Sequence, residues 1–196
     1  MKRLLWLIAL TLVAINSFAQ EKIDEYYNDY FEKTYLIAAS DEDELLVLLQ
    51  VSGEYRSDDV YFYLEGSSTI ESFVSSLKQV KQKYAEWRKV AIDNNVRSFS
   101  KDFDIYFPII TIAWYGADWR FDFSERLKPY FKVTDSGQYI AVFHAEAVSS
   151  NNEYITQKYY LVFSSVQDFD EVISKVEPAV IREKLKNKHA PDDLFK

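Results

Sequence analysis

Hydrophobic residues recur along this chain in two rhythms, one helical and one extended. The longest helical stretch runs from Ser68 to Asn94, where apolar residues return at steps of three and four between positions 70 and 91. Ser68 and Glu71 stand three residues apart at its start, a spacing that predicts a capping box. The opposite side of this segment is rich in Lys and Gln, which indicates a solvated face. One long amphipathic helix is therefore predicted here.

Shorter helical patterns lie near both ends of the chain. Residues 20–32 carry five apolar residues at helical spacing, which predicts a short N-terminal helix: Ile23, Tyr26, Tyr27, Tyr30 and Phe31. A last helix is predicted from Val166 onwards, and Pro178 should end it or open a second short helix through Leu185. The Lys-rich tail after that is expected to fray.

The remaining hydrophobic runs follow an extended rhythm and are separated by turn residues. The runs read as strands are Tyr35–Ala39, Glu44–Ser52, Asp59–Glu65, 103–107, 110–114, 119–123, Tyr130–Thr134, Gln138–Val148 and Tyr154–Phe163. The second of them would also suit a short helix, but the charged residues before it and Gly53 after it favour a strand. The pattern predicts an α+β fold, with a mostly antiparallel sheet of about seven or eight strands and two main helices on one face. Because no linker-like segment interrupts this pattern, residues 20–196 are predicted to form one domain.

Residues 1–19 have the pattern of a cleavable signal peptide. Lys2 and Arg3 precede an uncharged apolar run from Leu4 to Ile15, and small residues at 17 and 19 predict cleavage after Ala19. The alternative is a retained membrane anchor, although this run is short beside the roughly 20 residues that span a bilayer. Without Cys at the cut there is no lipid attachment site. We expect a periplasmic or secreted bacterial protein with no integral membrane segment after cleavage.

Charge and composition exclude several function classes. The chain has 23 basic and 31 acidic residues, and losing Lys2 and Arg3 with the signal leaves 21 and 31, a net charge of −10. Such an acidic protein is poorly suited to nucleic acid, because phosphate repels it. The absence of Cys excludes thiol nucleophiles, Cys-based zinc sites and iron–sulfur clusters. No cofactor is predicted, and no phosphate-binding glycine loop is present among only four glycines.

The strongest candidate for binding is an aromatic stretch around one turn. Trp114, Tyr115, Trp119 and Arg120 flank Gly116, and these residue types dominate interaction surfaces. Rings at a turn can stack on sugar faces or on side chains of a protein partner. The alternative is an ordinary hairpin whose Trp side chains fold back onto the core.

A second candidate is the polar pair His144 and Glu146. Residues two apart on a strand share a face, so an imidazole and a carboxylate there could bind a metal or move a proton. The sequence offers no further ligand, and no metal site is predicted. The alternative is one mixed face, shared with Ile140, Val142 and Val148, that turns polar towards solvent.

Several carboxylates suggest hydrolysis as an alternative chemistry. A two-carboxylate mechanism would draw on Asp102, Asp104, Asp118 and Asp122. The leading hypothesis remains an exported, non-catalytic binding or interaction module with a glycan or protein ligand. The alternatives are a carbohydrate- or peptide-directed hydrolase that uses carboxylates or His144, and an assembly subunit that pairs through a sheet edge.

Overall fold

The computed structural model describes residues 20–55 and 59–193, with the course of the backbone alone for residues 189–193. The predicted signal peptide, residues 1–19, lies outside the described residues. The ten strands are β1 (Glu21–Asn28), β2 (Lys33–Ser40), β3 (Leu46–Gly53), β4 (Asp59–Glu65), β5 (Phe99–Asp102), β6 (Ile109–Tyr115), β7 (Trp119–Arg126), β8 (Tyr130–Val133), β9 (Tyr139–Ser149) and β10 (Asn152–Phe163). The helices of the described part of the chain are α1 (Ser67–Asp93), α2 (Val166–Val176) and α3 (Pro178–Asp193).

Every strand pairing is antiparallel, and the predicted α+β class is confirmed. The sheet has more strands than the seven or eight expected, and the described residues form three helices rather than two main ones. Pro178 opens α3 directly after α2, and α3 continues to Asp193 where a frayed tail was predicted. Within the described residues, no helix combines the length and the apolar run needed to cross a bilayer.

The sheet forks at β3. The first half of β3 pairs with β2, from Leu46 to Leu49, whereas Ser52 and Gly53 on the same edge pair with β10. The other edge of β3 pairs with β4 along most of its length. The fork joins a run of six strands, β1-β2-β3-β4-β6-β7, to a run of four, β5-β8-β9-β10.

The sheet also curls, so that its last strand, β7, reaches the β9–β10 hairpin. The Ser150 amide donates to the Phe121 carbonyl at 2.8 Å, and the Val148 amide donates to Asp122 Oδ2 at 3.0 Å. The main core lies on the inner side of this curl, under α1. Its largest fully buried rings include Phe62, Phe73, Phe107, Phe143, Tyr159 and Phe163.

The helix α1 covers the core as its apolar spacing predicts, but it begins differently. Its N-cap is Gly66, with φ of 85°, and no side chain caps the helix, so the predicted Ser68–Glu71 capping box is wrong. A Cβ at position 66 would lie 2.6 Å from Glu44 Oε1 and would also face the strain of a positive φ. The capping box is found instead at α2, where Ser165 and Asp168 satisfy each other's backbone amides.

The predicted N-terminal helix over residues 20–32 is also wrong, because residues 21–28 form β1. Tyr26 and Asn28 are buried and Tyr27 between them is exposed, which is the alternation of a strand. The Tyr26 ring stacks on Tyr35 of β2 at 5.4 Å, and its hydroxyl donates to the Gln50 carbonyl at 2.6 Å. Pairing with β2 and burial of these polar side chains override the local helical spacing.

Candidate interaction surface

The aromatic stretch from Trp114 to Arg120 is divided between the two faces of the sheet. Trp114 points inwards from β6 and is 4% exposed, so for this ring the alternative of a core Trp is the correct one. Tyr115 is 51% exposed and Trp119 37%, and the two residues are direct partners across β6 and β7. The split follows from strand geometry, since successive side chains point to opposite faces.

The exposed rings belong to a larger cluster on the outer face of β4, β6 and β7. We call this cluster the outer aromatic surface, and its members are Tyr61, Tyr115, Trp119, Phe121 and Phe123. The Trp119 ring lies 5.9 Å from Tyr61 and 5.6 Å from Tyr115, measured between centroids. Phe123, at the other end of the row, is 62% exposed.

The row along β7 is a stack. The Trp119 and Phe121 rings are 6.4 Å apart with planes 23° from parallel, and the Phe121 and Phe123 rings are 5.7 Å apart at 8°. Stacked rings direct their faces at one another along the strand. Phe121 is therefore flanked by a ring on each side along the strand, whereas Phe123 ends the row with a stacked ring on one side.

A small residue in the middle strand brings the rings of the outer strands together. Ala113 of β6 is in register with Tyr61 of β4 on one side and Phe121 of β7 on the other. It is buried, so the flanking rings close over it. Burial raises the pKa of the Tyr61 hydroxyl, with the nearby Asp59 carboxylate adding to the effect.

Arg120 does not join this surface. It pairs with Trp114 across the strands and lies on the other side of β7 from Trp119. Its guanidinium is 3.8 Å from the carboxylate of Asp118, an exposed residue of the turn. Of the four predicted binding residues, Tyr115 and Trp119 thus belong to the outer aromatic surface, whereas Trp114 and Arg120 are partners on the other side of the sheet.

A bulge in β7 aims one carboxylate into the core. Ile110 pairs with Glu125 and Ile112 with Asp122, so two residues of β7 stand opposite one of β6. Glu125 consequently points inwards and accepts a hydrogen bond from the buried Tyr159 hydroxyl at 3.0 Å. Burial raises the pKa of Glu125, the Tyr159 hydrogen bond opposes this, and Asp122 adds to it. This contact ties β7 to β10 from the inside.

His144 and Glu146 lie on the outer face of β9, both exposed. The His144 ring stacks on Tyr160 at 4.5 Å, and burial lowers its pKa, with Lys158 adding to the effect and Glu146 opposing it. Glu146 accepts a hydrogen bond from the Thr156 hydroxyl at 2.8 Å. Where side chains are described, in residues 20–55 and 59–188, no group of three or more His, Asp or Glu is placed to hold a metal. The pair thus forms part of a mixed strand face.

The carboxylates considered for hydrolysis are distributed over separate elements. Asp102 ends β5 and Asp104 follows in a loop, both exposed. Asp118 and Asp122 belong to the β6–β7 turn and to β7, which is the last strand at the opposite end of the strand order from β5. Asp122 is engaged structurally, since it accepts the Val148 amide at 3.0 Å.

The edge of the sheet at β1 is occupied by side chains from the C-terminal helices. Lys175 donates to the Glu25 carbonyl at 2.6 Å, and Lys188 donates to the Lys22 carbonyl at 2.7 Å. Such contacts cover backbone groups that would otherwise be available to another strand. Two backbone carbonyls at the β1 edge are therefore already occupied by lysine side chains.

Sequence reasoning missed Tyr61, Phe121 and Phe123 as members of the candidate site. The alternation of Trp119, Phe121 and Phe123 with polar residues was a usable signal for a common face. Tyr61 comes from a strand more than 50 residues earlier, and only the β4–β6 pairing brings it close. Comparison of the chain with protein family models, with curated proteins and with solved structures gave no match.

Proposed function

We propose that this chain is an exported, non-catalytic binding protein that holds a protein partner on the outer aromatic surface. The observation that carries the proposal is the exposure of Tyr115, Trp119 and Phe123 in one cluster, on the side of β6 opposite the buried Trp114. Exposed clusters of large rings are characteristic of interaction sites, because leaving so much apolar area in water is unfavourable.

The orientation of the rings favours a protein partner over a glycan. A sugar stacks on the open face of a ring, but the faces of Phe121 are turned towards Trp119 and Phe123. Tyr115 and Tyr61 approach the Trp119 ring at 66° and 48° and crowd it further. Ring edges and the spaces between them suit the aliphatic and aromatic side chains of a protein surface.

The charges around the rings indicate the kind of protein surface. Asp59 is exposed and stands opposite Tyr115 in the β4–β6 register, and Asp118 is exposed beside Trp119. The whole chain carries a net charge of −8. A partner with an apolar centre and a basic rim would complement this surface, and salt should slow their association.

Export remains part of the proposal and depends on the pattern of residues 1–19. Its support in the fold is that β1 begins at Glu21, so that cleavage after Ala19 leaves every described element intact. N-terminal sequencing of the protein purified from the source organism should begin at Gln20. An N-terminus at Met1 would contradict export by cleavage.

Site-specific photo-crosslinking tests the binding surface directly. A benzophenone amino acid is placed at Phe123 in one variant and, as the matched control, at Tyr154, an exposed ring on β10 outside the surface. In the source organism the Phe123 probe should form one dominant protein adduct, which the Tyr154 probe should not form. Combining the Phe123 probe with Trp119→Ala should weaken the adduct.

Other results of these experiments would contradict the proposed surface or assign it to a different ligand. Identical adducts from both probes, or none from Phe123, would contradict the proposed surface. Binding on a glycan array that disappears in Trp119→Ala and persists in Tyr154→Ala would assign the surface to a glycan instead. Folding of each variant is checked by circular dichroism before the comparison.

A further inference from the structure

We infer that a second site, separate from the outer aromatic surface, binds a small amphiphilic carboxylate, a molecule with an apolar body and one negative charge. The site is a groove of about 380 Å³ at the C-terminal end of α1, which we call the helix-end groove. It is lined by Trp87, Val90, Ala91, Val96, Phe99, Lys101 and Phe131. No residue of the outer aromatic surface belongs to it.

The groove has an apolar floor and exposed apolar sides. Ala91 and Phe131 are buried at its base, while Val90 of α1 and Phe99 of β5 stand exposed at its sides. The small side chain of Ala91 leaves the space open between the helix and the strands. The volume is at the lower end of the range for small-molecule sites, about 300–1,000 Å³.

The aromatic wall of the groove is held firmly. Trp87 stacks on Phe103 with centroids 4.9 Å apart and planes 4° from parallel, and it meets Phe131 edge-on at 6.0 Å. Phe103 is itself buried, and its amide donates to the Pro129 carbonyl at 2.9 Å. A ligand would therefore enter a preformed site, which avoids part of the ordering cost of binding.

Lys101 is the one charged residue that lines the groove, and it defines the chemistry of the ligand. Its ammonium lies 4.6 Å from the centroid of the Trp87 ring. Among residues 20–55 and 59–188, whose side chains the structure describes, it makes no ion pair with a carboxylate, although acidic side chains outnumber basic ones in this chain. A single cation at an apolar groove complements one carboxylate attached to an apolar body.

Calorimetric titration with three probes of equal chain length tests the inference. Decanoate and decyltrimethylammonium are added below their micellar concentrations, and decanol below its solubility limit, to the protein that begins at Gln20. Decanoate should bind about fivefold more tightly than decanol, the equivalent of one exposed charge pair, and the cation should bind least. Lys101→Gln should remove this preference and leave the affinity for decanol unchanged.

Two further variants separate the groove from other surfaces. Lys132→Gln removes an exposed lysine from the adjacent strand β8 without touching the groove, and it should leave decanoate binding unchanged. Val90→Asp places a carboxylate on the exposed side of the groove, where it offsets the charge of Lys101, and it should remove the preference for decanoate over decanol.

Three results would overturn the inference: no decanoate binding by the wild-type protein, equal affinity of wild type and Lys101→Gln for decanoate, or loss of binding in Trp119→Ala. The last result would show that decanoate binds to the outer aromatic surface and not to the helix-end groove.

Discussion

The hydrogen bond between Tyr159 and Glu125 offers the sharpest test of how β7 is held in place. Tyr159→Phe removes the hydroxyl that donates to the Glu125 carboxylate at 3.0 Å and leaves the rest of the buried ring. A hydrogen bond to a charged group contributes about 1.5–3 kcal/mol to stability. We therefore expect the free energy of unfolding near neutral pH to fall by about 2 kcal/mol.

The effect of this variant should depend on pH in a defined direction. Burial raises the pKa of Glu125 above its ordinary value of 4.5, so the folded protein holds its proton more tightly than the unfolded chain does. The stability associated with Glu125 is thus complete at low pH and is lost as pH rises through the raised pKa. The Tyr159 hydroxyl limits this loss, because it stabilises the ionised carboxylate.

Removing that hydroxyl should raise the pKa of Glu125 further. Tyr159→Phe should then be much less destabilising near pH 4 than near pH 7, where the folded protein must hold an ionised carboxylate without its donor. Urea unfolding at both pH values measures the difference. Glu125→Gln is the matched control, because an amide has nearly the same shape and does not titrate, and it should flatten this part of the pH dependence.

An equal loss of stability at both pH values, or a larger loss at pH 4, would refute the reasoning. So would a Tyr159→Phe effect that is unchanged in the Glu125→Gln background, because the two groups would then act independently.

Three further predictions concern stability and use the same urea assay. Trp114→Ala should cost about 3–5 kcal/mol because it empties a core site, whereas Trp119→Ala should cost about 1–2 kcal/mol because neighbouring rings can cover the gap; equal losses would show that the Trp119 ring belongs to the core. Tyr84→Phe should cost about 1–3 kcal/mol, since the Tyr84 hydroxyl lies within hydrogen-bond distance of two backbone carbonyl oxygens, at 2.9 Å and 2.6 Å; a neutral result would contradict that role. Burial opposes ionisation of Asp24, but the hydrogen bonds from Lys184 and the Glu25 amide, together with the charge of Lys175, outweigh this effect. The pKa of the Asp24 carboxyl is therefore lowered. Asp24→Asn should therefore cost about 1 kcal/mol at neutral pH, a difference that disappears as pH falls through the folded-state pKa, and an unchanged difference in acid would contradict the pairing.

The sequence predicted those parts of the fold in which local pattern and final contacts agree. The antiparallel strands β6 to β10 follow from alternation that nearby strands then satisfy, and α1 follows from its apolar spacing. The strand predicted over residues 103–107 is wrong, because β5 ends at Asp102 and those residues lie in a loop. The prediction of a helix around Tyr26 was wrong because the spacing of apolar residues there suits a helix as well as a strand. Pairing with β2 and the burial of Asn28, which donates to the Val162 carbonyl at 2.8 Å, decide in favour of the strand.

The candidate site was predictable to the extent that it is local. Tyr115 and Trp119 lie on either side of one turn, and any hairpin there brings them together. The residue types alone do not distinguish the buried Trp114 from these two exposed rings. The difference depends on which face of β6 is turned towards the core. Tyr61 and the inward turn of Glu125 depend on strand pairing and on a bulge, neither of which has a marker in the neighbouring residues.

The fork at β3 has a consequence for the order in which the protein can fold. The first half of β3 finds its partner in β2, a few residues earlier in the chain, whereas Ser52 must wait for Tyr160, more than a hundred residues later. Contacts that close such long loops form late, because the chain entropy has to be lost first. During synthesis the end of β3 is thus an unpaired edge until β10 arrives. If translation slows before β10 has been made, the end of β3 stays unpaired for longer. During that time it can pair with a strand of another molecule.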